Sequence, residues 1–273
     1  MASADLISST VLPTKSIIIC STGRSGSTLL SRTLSSLGYF GKPIEFFRFD
    51  MLADNGVTTS ATELYRYLGQ VYPLGTTPNQ VFSAKLHWDH LRKLLQIART
   101  DPVLKSQSEI EILSQLFPNP IFIFIRRNDL SRQAISMEIG RQTGVYLILK
   151  EQDKKPPQDK QRLFFRPLNI YRYKQGLQQR NQNWRSLFHR NHMSFLEVVY
   201  EDLVTDFEGT MHQVIKTCDV AIPAENFEIS QATKKQGNQV NERWLRYYCL
   251  IPESFLKAYS NARSYLRQLI AKR

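Results

Sequence analysis

Short apolar runs separated by longer amphipathic stretches set the pattern of this chain. Ser16–Cys20 (SIIIC), Val81–Leu86 (VFSAKL), Ile121–Ile125 (IFIFI) and Phe195–Tyr200 (FLEVVY) are brief and rich in β-branched and aromatic residues. Continuous rather than alternating apolarity predicts strands buried on both faces. Between them the apolar positions recur at helical spacing. Leu29, Leu30, Leu34 and Leu37 form one such stripe, with Gly38 expected at its C-cap. Asp129 to about Gly144 reads as a helix capped by Asp129, Leu168–His192 as one long polar-faced helix, and Phe207–Thr217 as another. The chain from Val240 onward reads as mostly helical. Strands alternating with helices predict an α/β fold, a parallel sheet flanked by helices. Lys150–Lys160 (KEQDKKPPQDK) has charge and proline but no apolar period, so a mobile loop is expected over 150–166. A flexible N-terminus is expected over 1–15. No repeat is evident, and a single domain over 1–273 is expected.

In an open α/β sheet the ligand lies outside the carboxyl ends of the strands. The stretch IIICSTGRSGSTLL, Ile17–Leu30, passes there from a buried strand into a helix. Such a turn presents backbone N–H groups at a helix N-terminus, and both favour an anion. Gly23 and Gly26 give it backbone freedom, Ser25, Ser27 and Thr28 give it hydroxyls, and Arg24 gives it a fixed charge. A tight turn that merely uses small residues is the plain alternative, but it leaves Arg24 without a reason. Against the P-loop pattern G-x-x-x-x-G-K-[ST], Gly26 fits the second glycine, while Ser21 stands at the first and Ser27 at the lysine. The expectation is a P-loop-like turn that holds a phosphate without a metal, rather than a metal-dependent nucleotide triphosphatase or kinase.

The charge balance agrees. Lys and Arg number 36 against 24 Asp and Glu, a formal net charge of +12 over 273 residues, which implies anionic partners. Cys20, Cys218 and Cys249 lack metal-ligand spacing, and an odd count argues against a disulfide framework. No basic segment followed by an apolar core opens the chain, and no apolar run approaches the ~20 residues of a membrane span. A reduced, cytoplasmic chain with no membrane span is expected.

Several motifs then occur in order: RSGSTLL (Arg24–Leu30), GKPIEFF (Gly41–Phe47), AKLHW (Ala84–Trp88), RRNDLSRQAIS (Arg126–Ser136), RQTGVY (Arg141–Tyr146) and KKQGNQVNERWLRYY (Lys234–Tyr248). Together they resemble the bacterial trehalose 2-sulfotransferase-like family. The resemblance implies a P-loop-like α/β sulfotransferase fold and 3′-phosphoadenosine 5′-phosphosulfate (PAPS) as sulfuryl donor. It further implies no metal, a hydroxyl acceptor such as a sugar, and a homodimer. By the resemblance Arg127 and Ser136 match ligands of the donor's 3′-phosphate, and Glu45 matches the catalytic glutamate. Lys234 or Lys235 is a looser match for a further 3′-phosphate contact, since relatives tend to place an arginine there.

Sulfuryl transfer, like phosphoryl transfer, depends on positioning and charge stabilisation. The donor carries a 5′-phosphosulfate and a 3′-phosphate on one adenosine, so two anion sites are needed. The Ser21–Thr28 turn suits the 5′ side, with Arg24 in a catalytic role, and the IRRND strand end suits the 3′ side. Lys85 is expected beside the transferring group. Glu45, flanked by Ile44, Phe46 and Phe47, is expected to be desolvated, with a raised pKa that suits a general base. His87 competes for that role, because Lys85-x-His87 resembles the K-x-H of animal cytosolic sulfotransferases. Trp88 reads either as a stacking surface or as core. Glu201 and Asp202 read as helix N-terminal caps. Asn169–His192 interleaves basic and aromatic residues, but it is expected to be a polar-faced helix and no nucleic-acid partner is expected; a catalytically inactive nucleotide- or nucleic-acid-binding protein on the same fold is the alternative.

Overall fold

The computed structural model describes residues 12–145, 163–222, 229 and 239–271. The chain divides into two compact units, Met1–Asn128 with Arg180–Ala232, and Asp129–Gln179 with Thr233–Arg273.

The first unit holds β1 (Lys15–Ser21), β2 (Val81–His87), β3 (Pro120–Arg126) and β4 (Phe195–Val199), paired in parallel in the order β2-β1-β3-β4. Its helices are α1 (Ser27–Ser36), α2 (Phe49–Asp54), α3 (Ala61–Gly75), α4 (Trp88–Ala98) and α5 (Glu109–Leu116), with α8 (Tyr200–Thr205) and α9 (Phe207–Cys218) after β4. The continuous apolarity of β1 has its explanation here. Ile17 and Ile19 join one buried cluster with Leu30, Leu34, Ile123, Val198, Leu203 and Val214. Ile18 and Cys20, pointing the other way, join a second with Phe82, Leu68, Leu94, Phe124 and Trp184. Both faces are covered, so alternation would have been wrong for this strand. Truncating Ile18 or Ile19 to alanine would cost about 2–5 kcal/mol.

β1 lies between β2 and β3, so successive crossovers leave it on opposite sides. That is a topological switch point, and the crevice at the carboxyl end of β1 is the ligand position such sheets offer. The turn after Ser21 occupies it.

Four helices had no sequence prediction: α2, α3, α4 and α5. Two of them carried a local signal. Ser60 with Glu63 and Ser108 with Glu111 form complete capping boxes at the starts of α3 and α5. β4 stops at Val199, one residue short of its expected end, and Tyr200 begins α8 with Val199 as N-cap. Glu201 and Asp202 therefore lie in the first turn and are not its caps; Glu201 Oε2 instead accepts from the Asn128 N–H at 2.9 Å.

In the second unit α6 (Leu130–Thr143) has the expected cap, with Asp129 accepting from the Arg132 N–H and left-handed Gly144 ending the helix. α7 (Pro167–Arg190) contributes its residues through Gln179, followed by α10 (Gln239–Cys249) and α11 (Glu253–Ala271). Ala134, Ile135, Ile170, Tyr171, Leu177, Trp244, Tyr248 and Leu256 form its core. Buried Glu138 accepts from Gln142 at 2.7 Å and pairs with Arg141 at 3.2 Å.

Four basic residues of α7 meet carboxylates, while Arg172 Nε donates to Ser260 Oγ at 3.3 Å. Lys174 pairs with Glu253, Arg180 with Asp89, Arg185 with Glu197 and Arg190 with Glu109. This is the pattern of a polar-faced helix. The charged segment Lys150–Lys160 and the N-terminal residues through Val11 lie outside the described residues; 163–166 have no regular secondary structure. No described helix is long and apolar enough to cross a membrane.

Candidate active site

The turn after β1 is shaped by backbone conformation. Arg24 has φ 64° and Gly26 φ 91°, both left-handed, and Gly26 is the N-cap of α1. A Cβ on Gly26 would stand 2.3 Å from Cδ2 of Tyr200, so only glycine lets the turn lie against that ring. A glycine cap has no side-chain acceptor for the first helical N–H groups, and the first turn of α1 holds no acidic residue. Ser25 and Ser27 are buried, and Ser25 Oγ has no hydrogen-bond partner. An orphaned buried hydroxyl, unfilled helix N–H groups and an arginine suit an anion.

Lys85 links this turn to a carboxylate. It lies on β2 opposite Ile19, with its side chain 8% exposed. Its Nζ donates to Thr28 Oγ1 at 3.1 Å and meets Glu45 Oε1 at 2.7 Å. Glu45 gets there because GKPIE runs alongside β2. The Lys85 N–H donates to Ile44 O at 2.9 Å, and Ile44 bridges Ala84 in parallel. Gly41, at φ 72°, permits the approach, since a Cβ there would come within 2.5 Å of the Ser83 backbone nitrogen.

His87 closes the cluster. Its Nε2 is 3.6 Å from Glu45 Oε1, and its Nδ1 is 2.9 Å from Ser21 Oγ. Ser21 is fixed in turn, its carbonyl accepting from Trp184 Nε1 at 3.0 Å. The expected rise in the Glu45 pKa is corrected here. Burial alone would raise it, but contact with His87 and Lys85 outweighs burial and holds the carboxyl well below the usual range. Deeper in, burial and the neighbouring His87 bring His90 down to about 4.

At the end of β3, Arg126 Nε donates to Glu197 Oε1 at 2.7 Å, and Arg185 grips the same carboxylate. Arg127 differs. Its guanidinium carbon stands 4.7 Å from the centroid of the Tyr200 ring, a cation–π contact, and its Nε is 3.6 Å from Glu201. Tyr200 thus touches both Gly26 and Arg127.

Arg24, Ser25, Thr28, Glu45, Lys85 and His87 are therefore in the first unit, with Thr28, Lys85, Glu45 and His87 in one contact chain. Ser136 is on α6 in the second unit, half-buried. Lys234 and Lys235 lie outside the described residues. Trp88 is core, packed edge-on to Trp184 at 5.3 Å. Ser21 was expected only as the start of the turn, and Trp184, His90 and Tyr200 were not singled out from sequence as parts of this neighbourhood. Tyr200 was expected only as the last residue of the strand Phe195–Tyr200 (FLEVVY).

A family model described as Stf0 sulphotransferase matches residues 16–249. The chain is 24% identical over 258 residues to a trehalose 2-sulfotransferase of Mycobacterium tuberculosis (strain ATCC 35801 / TMC 107 / Erdman), covering 85% of this chain and 93% of that protein. It is 23% identical over 266 residues to the trehalose 2-sulfotransferase of Mycolicibacterium smegmatis (strain ATCC 700084 / mc(2)155), covering 86% and 94%. Among solved structures, the sulfotransferase domain from the curacin biosynthetic pathway is similar with a TM-score of 0.44 at 19% identity, covering 85% of this chain and 83% of that one. With its parallel sheet, its glycine-bearing turn after β1 and a family match from the first strand through α10, the chain belongs to the Stf0 sulphotransferase family.

Proposed function

We propose that this chain moves the sulfuryl group from PAPS to a hydroxyl of a carbohydrate or other small-molecule acceptor, by metal-independent in-line transfer. The observation that carries this reading is the contact chain Thr28–Lys85–Glu45–His87, which joins an anion-suited turn directly to a carboxylate. The donor supplies an activated sulfuryl group with a phosphate as leaving group. Gly23 to Thr28 bind its 5′ side, with N–H groups and hydroxyls as donors and Arg24 as counter-charge. Lys85 Nζ stabilises oxygens of the group in transit. Glu45 accepts the acceptor's proton. In the free protein His87 and Lys85 together hold Glu45 ionised but weakly basic. Anionic charge gathering beside Thr28 gives Lys85 a competing partner, and the proton affinity of Glu45 rises as that contact weakens. His87 Nε2 is the alternative proton acceptor. Arg127 holds the 3′-phosphate; Ser136 and Lys235 join it on the strength of the family resemblance.

The family match spans both units and supports one sulfotransferase domain. The relatives named for trehalose support a sugar acceptor. A homodimer belongs to the proposal by family resemblance. The three cysteines are free thiols, which suits a reducing cytoplasm. The test is transfer of labelled sulfate from PAPS to a panel of sugars and alcohols in EDTA. Labelled product is expected. Transfer only after Mg²⁺ is added would overturn the metal-independent mechanism, and bound donor nucleotide without any transfer would favour an inactive nucleotide-binding protein.

A further inference from the structure

The two nitrogens of the His87 ring face different neighbours. Ser21 and His87 are register partners where β1 and β2 end. Such partners project from the same face of a sheet, and here Ser21 Oγ stands 2.9 Å from Nδ1. Ser21 is held in place. It is fully buried, and its carbonyl accepts from Trp184 Nε1 at 3.0 Å, on an indole that Trp88 meets edge-on and Phe188 stacks against. On the other side of the ring, Nε2 is 3.6 Å from Glu45 Oε1. Lys85, two residues before His87 on β2, meets the same oxygen at 2.7 Å.

A neutral imidazole carries one proton, and the partner of each nitrogen decides where it sits. With the proton on Nδ1, Ser21 would have to accept. Its own O–H would then stay buried without an acceptor, since that hydroxyl has no second partner among the described residues. The bare Nε2 would also turn a lone pair toward the Glu45 carboxylate. With the proton on Nε2, Ser21 donates to Nδ1 and an N–H faces the carboxylate. The 3.6 Å separation is too long for a full hydrogen bond, yet short enough for the carboxylate to favour a proton on that nitrogen. Both neighbours select the same tautomer.

We infer that Ser21 is a positioning residue for the transfer step: its hydroxyl donates to Nδ1 of His87, the neutral ring keeps its proton on Nε2, and His87 steers the Glu45 carboxylate instead of taking the acceptor's proton. Nε2 then offers no lone pair, so the proton released as the acceptor oxygen attacks sulfur goes to Glu45. When Lys85 turns to the charge gathering beside Thr28, His87 is the contact that stays at Oε1. The fate of the proton rests on the sulfotransferase reading; the tautomer is a property of the free protein. The titratable groups around the ring are Glu45, with Lys85 on it, and His90 at 5.3 Å, itself acted on by Asp89 and Arg48.

The experiment records nitrogen NMR spectra of protein labelled with nitrogen-15 histidine, without donor, as the pH is raised until the His87 ring is neutral. It is done for the wild type, Ser21→Ala and Ser21→Thr, with His87→Asn to identify the His87 signals and thermal melts to check folding. The neutral wild-type ring is expected to be protonated on Nε2, with Nδ1 bare and hydrogen-bonded. Ser21→Ala should move the Nδ1 signal toward that of a bare nitrogen with no hydrogen bond, and Ser21→Thr, which keeps the hydroxyl, should leave it in place. Ser21→Ala removes one oxygen only, so it alone decides if the added methyl of threonine unsettles the buried site. A neutral ring protonated on Nδ1, or an Nδ1 signal that Ser21→Ala leaves unmoved, overturns the inference. In transfer assays Ser21→Ala should lower kcat about three- to ten-fold, the worth of one neutral hydrogen bond, with the PAPS KM within two-fold. An unchanged kcat, or a PAPS KM that rises instead, overturns the positioning role. If the tautomer is as stated and no sulfate is transferred, the sulfotransferase reading alone falls; if sulfate is transferred while the neutral ring is protonated on Nδ1, the positioning role alone falls.

Discussion

The Glu45–Lys85 contact makes a prediction that can be worked through without any ligand. The pair is 2.7 Å apart, with Lys85 8% and Glu45 24% exposed. Removing one partner of a fully buried pair costs about 3–5 kcal/mol, because the other charge is left desolvated and unmatched. Partial exposure of Glu45 and the remaining Thr28 contact reduce that to about 2 kcal/mol for Glu45→Gln or Lys85→Met. For a chain of this size each loss lowers the melting temperature by about 4–8 °C. The double variant strands no charge, so it should cost about 2 kcal/mol in total rather than 4, a coupling of about 2 kcal/mol. Urea denaturation at pH 7 followed by circular dichroism measures it. The pH dependence has a fixed sign. The folded pKa of Glu45 lies below its ordinary value of 4.5, so its contribution is complete above that value and is lost as the pH falls through the folded value. The wild type's advantage over Glu45→Gln should therefore hold at neutral pH and shrink only in strong acid. Additivity of the two single variants within about 0.5 kcal/mol would refute the pairing and with it the proposed relay.

Three further outcomes follow from the site. Gly26→Ala drives a Cβ into the Tyr200 ring and strains a left-handed cap, so it should destabilise the protein by about 2–4 kcal/mol in denaturation and weaken adenosine 3′,5′-bisphosphate in titration. Arg127→Ala should weaken PAPS by about 10- to 100-fold, the worth of a charge-assisted phosphate contact, and adenosine 5′-phosphosulfate much less; equal losses would make Arg127 structural. Glu45→Gln should lower kcat by about 10²–10⁴-fold with donor affinity nearly unchanged, and His87→Asn should cost less; the reverse order assigns the base to His87.

β1, β2 and β3 were legible in the sequence because they are buried on both faces; β4, at the sheet edge, is mostly half-buried. Ile17–Ile19 and Ile121–Ile125 are apolar throughout because both faces of β1 and β3 are covered. The turn was legible because an anion site needs glycine, hydroxyls and arginine at a strand end. The layout of the site was not. Glu45 meets Lys85 and His87 only because Gly41 lets the intervening segment lie against β2, a contact across about forty residues that no local pattern reports. The pKa of Glu45 went the wrong way for the same reason. Its sequence neighbours predict desolvation, while its partners in space, Lys85 and His87, dominate. Tyr200 looked like the end of a strand, yet it begins a helix and fills the space that only a glycine at position 26 leaves open.

On the proposed function, this turn and its arginines bind a 3′-phosphorylated adenosine donor without a metal. Isothermal titration of the purified protein with adenosine 3′,5′-bisphosphate in EDTA tests it most directly. Saturable one-site binding that adding Mg²⁺ leaves unchanged is expected, with much weaker binding of adenosine 5′-monophosphate. No binding of the bisphosphate, together with ATP binding that requires Mg²⁺, would contradict it.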